Sequence, residues 1–153
     1  MMNNDLMFSS KKDDWETPQW LYDELDAEFG FDLDAAANYE NKKCSEYYSD
    51  DLPRESNSWD ALNNDWYGNV FCNPPYSRGL QKKFIKKAHD EHCNGNTDVI
   101  VMLLPSRTDT IAFHEYIYGI AEIRFLKGRL KFEVNGVPAK DAAPFPSMLV
   151  IYR

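Results

Sequence analysis

The spacing of apolar and polar positions changes several times along the chain. Leu21, Tyr22, Leu25 and Phe29 fall at helical intervals and predict a helix that Gly30 ends. Its start is signalled by Thr17 and Pro18: a hydroxyl to cap, then a residue whose missing N–H costs nothing in the first turn. In "FDLDAAA" (31–37) the period drops to two, with Phe31 and Leu33 on one side of a strand, Asp32 and Asp34 on the other, and Asp34 at its end. Residues 38–66 are rich in Asn, Asp, Ser and Glu; "CSEYYS" (44–49) is the only strand pattern there and "DLPRESNSW" (51–59) reads as loop.

Gly68–Cys72 predicts a short buried strand, and residues 79–92 a helix with Leu80, Phe84, Ile85 and Ala88 inward and the lysines outward. "DVIVMLLP" (98–105) is a continuous, β-branched apolar run, as a central strand covered on both faces requires. The polar loop "SRTDT" leads to a helix carrying Ile111, Phe113 and Ile117. "AEIRFL" is a further strand, "GRLKFEVNGVPA" a hairpin turning at Asn135 and Gly136, and "SMLVIY" closes the sheet. Strands alternating with helices before a terminal hairpin-like pair predict an α/β fold with a mainly parallel sheet and an antiparallel C-terminal strand.

At 153 residues the chain fits one domain. We expect a flexible tail over residues 1–12 and a single domain over 13–153. No basic leader precedes an apolar stretch and the longest apolar run, Val99–Leu104, is too short for a bilayer, so a cytoplasmic protein without membrane contact is expected. Cys44, Cys72 and Cys93 lack CxxC spacing and read as reduced thiols, Cys72 packed. Seventeen basic against twenty-five acidic residues give a net charge of −8, which repels nucleic acid at long range. Charge is uneven, however: Lys82, Lys83, Lys86 and Lys87 cluster, as do Lys127, Arg129 and Lys131.

In α/β sheets ligands gather at the carboxyl ends of strands, where "DLDAAA", "CNPPYS" and "LPSRTDT" would meet. In "NPPY" the prolines fix the backbone and remove two N–H donors, holding the Asn73 side chain and the Pro74 carbonyl as neighbouring acceptors. Paired acceptors suit an exocyclic amino group, whose nitrogen they would help rehybridise toward attack. Asn73 has no basic site at ordinary pH, so its role is to orient and polarise. Tyr76 offers a ring on which a flat base stacks, unless Pro-Pro merely ends the strand and Tyr76 is core. Arg107, Thr108 and Asp109 are candidates to meet a target nucleotide or its phosphates, with helix capping the alternative for the latter two. Arg129 is a candidate phosphate contact or a surface arginine. Trp59 and Trp66 flank the adenine of a cofactor or fill the core. His89, His92 and Cys93 lack a fourth ligand and read as a solvated helix face; no metal is expected.

With "WETP" (15–18), "FDLDAAA", "NPPYS", "LLPSRTDT" and "KGRLKF" in this order, the chain resembles the small phage-type DNA N-6-adenine methyltransferases, the Dam-like family, over residues 14–152. The resemblance implies a compact Rossmann-like methyltransferase fold, S-adenosylmethionine as cofactor, double-stranded DNA as substrate, and action in the cytoplasm, that of the host if phage-encoded. Asn73, Pro74, Pro75 and Tyr76 become the catalytic motif. Thr17 and Pro18 match a motif that approaches the methionine end of the cofactor. Asp34, Ala35 and Ala36 stand where the usual glycine-rich loop would be, with Asp34 pairing the cofactor's ammonium or capping the Ala-rich turn. Asn73 also borders the cofactor, Asp51 or Asp50 is the expected ribose-binding acid, and Tyr76, Ser77, Arg107, Thr108 and Arg129 are expected to meet the target. Loops 51–66 and 127–146 would supply the base contacts. Methylation of an RNA adenine or a protein glutamine, or a silent acidic protein that mimics DNA, are the alternatives.

Overall fold

The structure is a computed structural model that describes residues 15–38, 41–49 and 60–153. The expected tail (1–12), Asp50, Asp51, the 51–59 loop and Trp59 lie outside the described residues.

Helix α1 (Gln19–Phe29) buries Leu21, Tyr22 and Leu25 and ends at Gly30, whose φ of 64° is the left-handed cap glycine allows. The strands β1 (Leu33–Asp34) and β2 (Glu46–Tyr47) follow, then a short 3₁₀ turn (Ala61–Asn63) and β3 (Gly68–Cys72). Helix α2 (Arg78–Cys93) leads to β4 (Thr97–Pro105). A π-helical turn (Phe113–Ile117), β5 (Glu122–Phe125), the hairpin β6 (Glu133–Val134) with β7 (Val137–Pro138), and β8 (Ser147–Tyr152) complete the order. Among the described residues no helix is long and apolar enough to cross a membrane.

Six strands form one sheet in the order β2-β1-β3-β4-β8-β5. β2, β1, β3 and β4 pair in parallel, and β8 runs antiparallel between β4 and β5. This is the expected mainly parallel α/β sheet, with its antiparallel C-terminal strand. Consecutive residues of β4 feed opposite faces: Ile100, Met102 and Leu104 pack with Phe84, Ile85 and Ala88 of α2, and Val99, Val101 and Leu103 with Leu21, Tyr22 and Leu25 of α1. Each such side chain, fully buried, contributes about 1.5–3 kcal/mol, which is why β4 carries no polar alternation.

Several expectations are corrected. Phe31 packs against Tyr22 and Phe71 on the α1 face, whereas Leu33 joins the α2 face, because the regular strand starts only at Leu33. Among the described residues no helix follows the alanines, so Asp34 caps no helix, although its carboxylate accepts the Ala36 N–H of the turn (3.3 Å). Leu80 is 40% exposed and lines a cleft instead of the core, and Ile111 is 62% exposed. The turn after Ile111 closes through a Tyr118 N–H bond to the Phe113 carbonyl (2.8 Å), a five-residue step that breaks ordinary helical spacing. Lys87 is not outward with Lys82, Lys83 and Lys86: it neighbours the buried Glu91 carboxylate (3.5 Å). Trp66 fills the core, its indole N–H donating to the Ala61 carbonyl (2.9 Å), and Cys72 is fully buried.

Candidate active site

The chain passes from β1 to β2 on one side and to β3 on the other, so the carboxyl ends of β1 and β3 flank the point where strand order reverses. Parallel pairing sets Asp34 beside Phe71, two residues before Asn73. Crossovers that diverge here leave a crevice. A cleft of about 400 Å³ opens there, lined by Thr17, Asp34, Ala35, Ala36, Asn73 and Pro75 among others. That volume suits a small cofactor. The cleft brings together three separate motifs: the strap before α1, the Ala-rich turn and the Asn-Pro-Pro turn.

Asp34 is 3% exposed, yet its carboxylate accepts only two backbone N–H groups, from Lys43 (2.9 Å) and Ala36 (3.3 Å). Burial outweighs both and raises its pKa to about 6. The Ala35 N–H bonds the Phe71 carbonyl (2.9 Å) and the Ala37 N–H the Tyr48 carbonyl (3.0 Å), so the turn is fixed against the sheet while only methyl groups separate its backbone from the cleft. Among the described residues, Glu16, Asp34 and Asp60 line the cleft against a single lysine, Lys43. Three carboxylates to one ammonium is a donor set fitted to a cationic guest.

At Asn73 the side-chain NH2 donates to the Trp15 carbonyl and to the Thr17 hydroxyl (3.0 Å). A carbonyl has no proton to give, so only the NH2 end can face Trp15. Asn73 Oδ1 is therefore turned the other way, buried and without a partner. A buried acceptor left unpaired costs about 1–3 kcal/mol, and a donated amino proton would relieve it. β3 ends at Cys72; Pro74 is buried behind the turn and Pro75 lines the cleft.

Thr17 does not cap α1. The Pro18 carbonyl accepts the Leu21 and Tyr22 N–H groups (both 3.1 Å), and the Gln19 N–H donates to the distant Glu133 carboxylate (2.8 Å). Tyr76 is 6% exposed, its hydroxyl donates to the Leu103 carbonyl (3.0 Å), and its ring meets Phe132 and Phe145 edge to face. In this structure the ring anchors the turn, and aromatic neighbours cover the surface a base would need. Ser77 precedes α2, its carbonyl taking the Gln81 N–H (2.9 Å). Arg107 and Thr108 are exposed on the β4 loop, and Arg129 is exposed ahead of the hairpin, so these three stand outside the cleft. The following turn is capped by the Thr110 hydroxyl, which accepts the Phe113 N–H (3.1 Å), in place of Thr108 or Asp109.

Sequence reasoning missed Asn38, Asn41, Lys43, Ser49 and Asp60 as cleft residues. Asn38 and Asn41 exchange backbone-to-side-chain bonds (both 2.8 Å), a pairing that their three-residue spacing just after the alanines does signal. Ser49, two residues beyond β2, lines the cleft from that strand's carboxyl end. His89 and Cys93 approach at 3.6 Å, and among the described residues no three metal-ligating side chains converge.

The family model for DNA N-6-adenine-methyltransferase (Dam) matches residues 6–153. A DNA N-6-adenine-methyltransferase of Escherichia phage T1 is 36% identical over 129 residues, 82% of this chain and 49% of the phage protein. The chain thus spans about half the length of that curated relative. With the family match extending over nearly every residue and an α/β sheet whose switch point carries the Asn-Pro-Pro turn, the chain belongs to the DNA N-6-adenine-methyltransferase (Dam) family.

Proposed function

We propose that the protein methylates the exocyclic N6 amino group of adenine in double-stranded DNA, with S-adenosylmethionine bound in the cleft between β1 and β3. The unpaired, fixed oxygen of Asn73 is the observation that carries this reading. Bound S-adenosylmethionine supplies a methyl group on a sulfonium, which leaves as a neutral thioether when the N–C bond forms.

This chain's residues provide the rest. Asp34 and the acidic lining favour the cofactor's positive charges, and Ala35 and Ala36 admit it close to the backbone. Asp51 or Asp50 remains our candidate for its ribose. Asn73 Oδ1 and the Pro74 carbonyl receive the two amino protons, drawing the nitrogen lone pair out of ring conjugation. Asn73 takes up no proton near neutral pH, so the proton released on transfer passes to water. Because a paired amino group cannot present its lone pair in line, the adenine must leave the helix stack. Pro75 and Tyr76 hold the turn rigid while this happens. Ser77, Arg107, Thr108 and Arg129 are assigned to the target strand.

Incubation with methyl-labelled cofactor and duplex DNA, followed by digestion to nucleosides and mass spectrometry, tests this directly. Label in N6-methyldeoxyadenosine is the expected product. Label found only with RNA or protein acceptors would redirect the assignment to another planar amine, and no calorimetric heat with S-adenosylmethionine would favour a silent binding protein.

A further inference from the structure

We propose that Thr17 is a positioning residue for the Asn73 amide, an inference that rests on the catalytic role given to Asn73 above. Thr17 is 4% exposed and its hydroxyl receives one proton of the Asn73 NH2 at 3.0 Å, while the Trp15 carbonyl receives the other. Two anchors define a plane: the Trp15 carbonyl forbids the flipped amide, which would set oxygen against oxygen, and the Thr17 hydroxyl stops the amide turning about its own axis. The oxygen is thereby held where it has no protein partner. A free amide would swing to find one, since an unpaired buried acceptor is costly.

The hydroxyl is available for this because α1 does not use it. The Leu21 and Tyr22 N–H groups are served by the Pro18 carbonyl and that of Gln19 by Glu133. The strap that carries both anchors is itself held from the far end of the chain. Glu16 pairs its carbonyl with the Glu133 N–H (2.9 Å), and its carboxylate receives the Asn135 (3.2 Å) and Gly136 (3.1 Å) N–H groups. Trp15 packs edge to face on Phe132 and Phe145, with ring centroids 5.4 and 5.2 Å away.

Thr17→Val removes the anchor at nearly constant volume, and Thr17→Ser keeps it. We expect Thr17→Val to lower kcat about tenfold, the loss of one neutral hydrogen bond, with KM for DNA and the calorimetric Kd for S-adenosylmethionine unchanged. Thr17→Ser is expected to restore kcat to within about twofold, the spread of a retained hydrogen bond. An unchanged kcat in folded Thr17→Val, or a weakened cofactor Kd with kcat at saturation intact, would overturn the proposal, the latter in favour of direct cofactor contact. The side-chain amide protons of Asn73, identified in nitrogen-resolved NMR by their loss in Asn73→Ala, give a readout without turnover. In the wild-type protein both should show hydrogen-bonded shifts and slow exchange, and two free-amide shifts would overturn the proposal even where Thr17→Val fails to fold. Should the wild-type protein leave adenine unmethylated, the reading beneath this one falls, while the amide spectrum still decides whether the lock exists.

Discussion

Asp34 is a carboxyl group buried at a strand end with two backbone donors and no charged side-chain partner within its hydrogen bonds. Burial raises its pKa from an ordinary 3.8 to about 6. The folded state thus keeps a proton that the unfolded chain gives up, so this group's contribution to stability is full below 3.8 and lost as pH rises through about 6. Binding of a cationic cofactor should show the opposite slope, because it needs the carboxylate. We expect calorimetric affinity for S-adenosylmethionine to weaken as pH falls below 6, and Asp34→Asn to be weaker by about tenfold, one pKa unit's worth of interaction, with that pH dependence gone. An Asp34→Asn protein with wild-type affinity on both sides of pH 6 would remove Asp34 from the cofactor site. The residue scale is also where the sequence was most readable: Asn73, Pro75, Asp34 and Thr17 are all on the cleft, because a turn rich in proline, and an acid ending a strand, betray themselves by type alone. The direction of the Thr17 hydroxyl was not readable, since it depends on the Glu133 carboxylate, 114 positions from Gln19, taking the Gln19 N–H and so relieving Thr17 of helix capping.

The elements themselves followed from period where both faces are packed, as in β4, and failed where the site intrudes. Leu80 obeys helical spacing yet faces the cleft, and Ile111, just ahead of the π-turn at Phe113–Ile117, is exposed while Phe113 and Ile117 are buried as expected. The 38–66 stretch has too few apolar positions for period to act on. The hairpin turn, by contrast, is written in Asn135 and Gly136, with φ of 53° and 79°. Its link to the active site is not, because Glu16 reaches it from across the chain. Glu16→Ala should speed hydrogen exchange of the Asn135 and Gly136 amides on the order of tenfold, for one charge-assisted bond each; unchanged protection would show that the carboxylate does not hold the turn. Gly68 opens β3 at a φ of 63°, where a Cβ would lie 2.5 Å from Asp32 Oδ2, the acceptor of the Asn69 N–H. Gly68→Ala is expected to cost about 2 kcal/mol, a Tm lower by about 4–8 °C for a chain of this size. A Tm within a degree of wild type would show that the strand start relaxes freely.

For the whole molecule the charge of −8 opposes the proposed DNA substrate, so the proposal requires local fields that outweigh it. Lys127, Arg129 and Lys131 are exposed on the segment leading into the hairpin, the same segment whose far end grips the Trp15–Thr17 strap. Replacing all three with Ala should weaken DNA binding and flatten the dependence of log affinity on log salt by about 0.9 for each phosphate that is no longer neutralised. An unchanged slope would move the DNA surface elsewhere, with the exposed Lys82 and Lys83 of α2 next in line. The catalytic proposal rests on one oxygen atom, Asn73 Oδ1. The most direct measurement is single-turnover methylation of duplex DNA by Asn73→Ala beside the wild-type protein, with folding and cofactor affinity checked in both. A fall of about 10²–10³ in rate at unchanged cofactor affinity, the usual cost of removing one positioned polar group from a reacting centre, is the expected result. Full-speed transfer to adenine by the folded variant would contradict it.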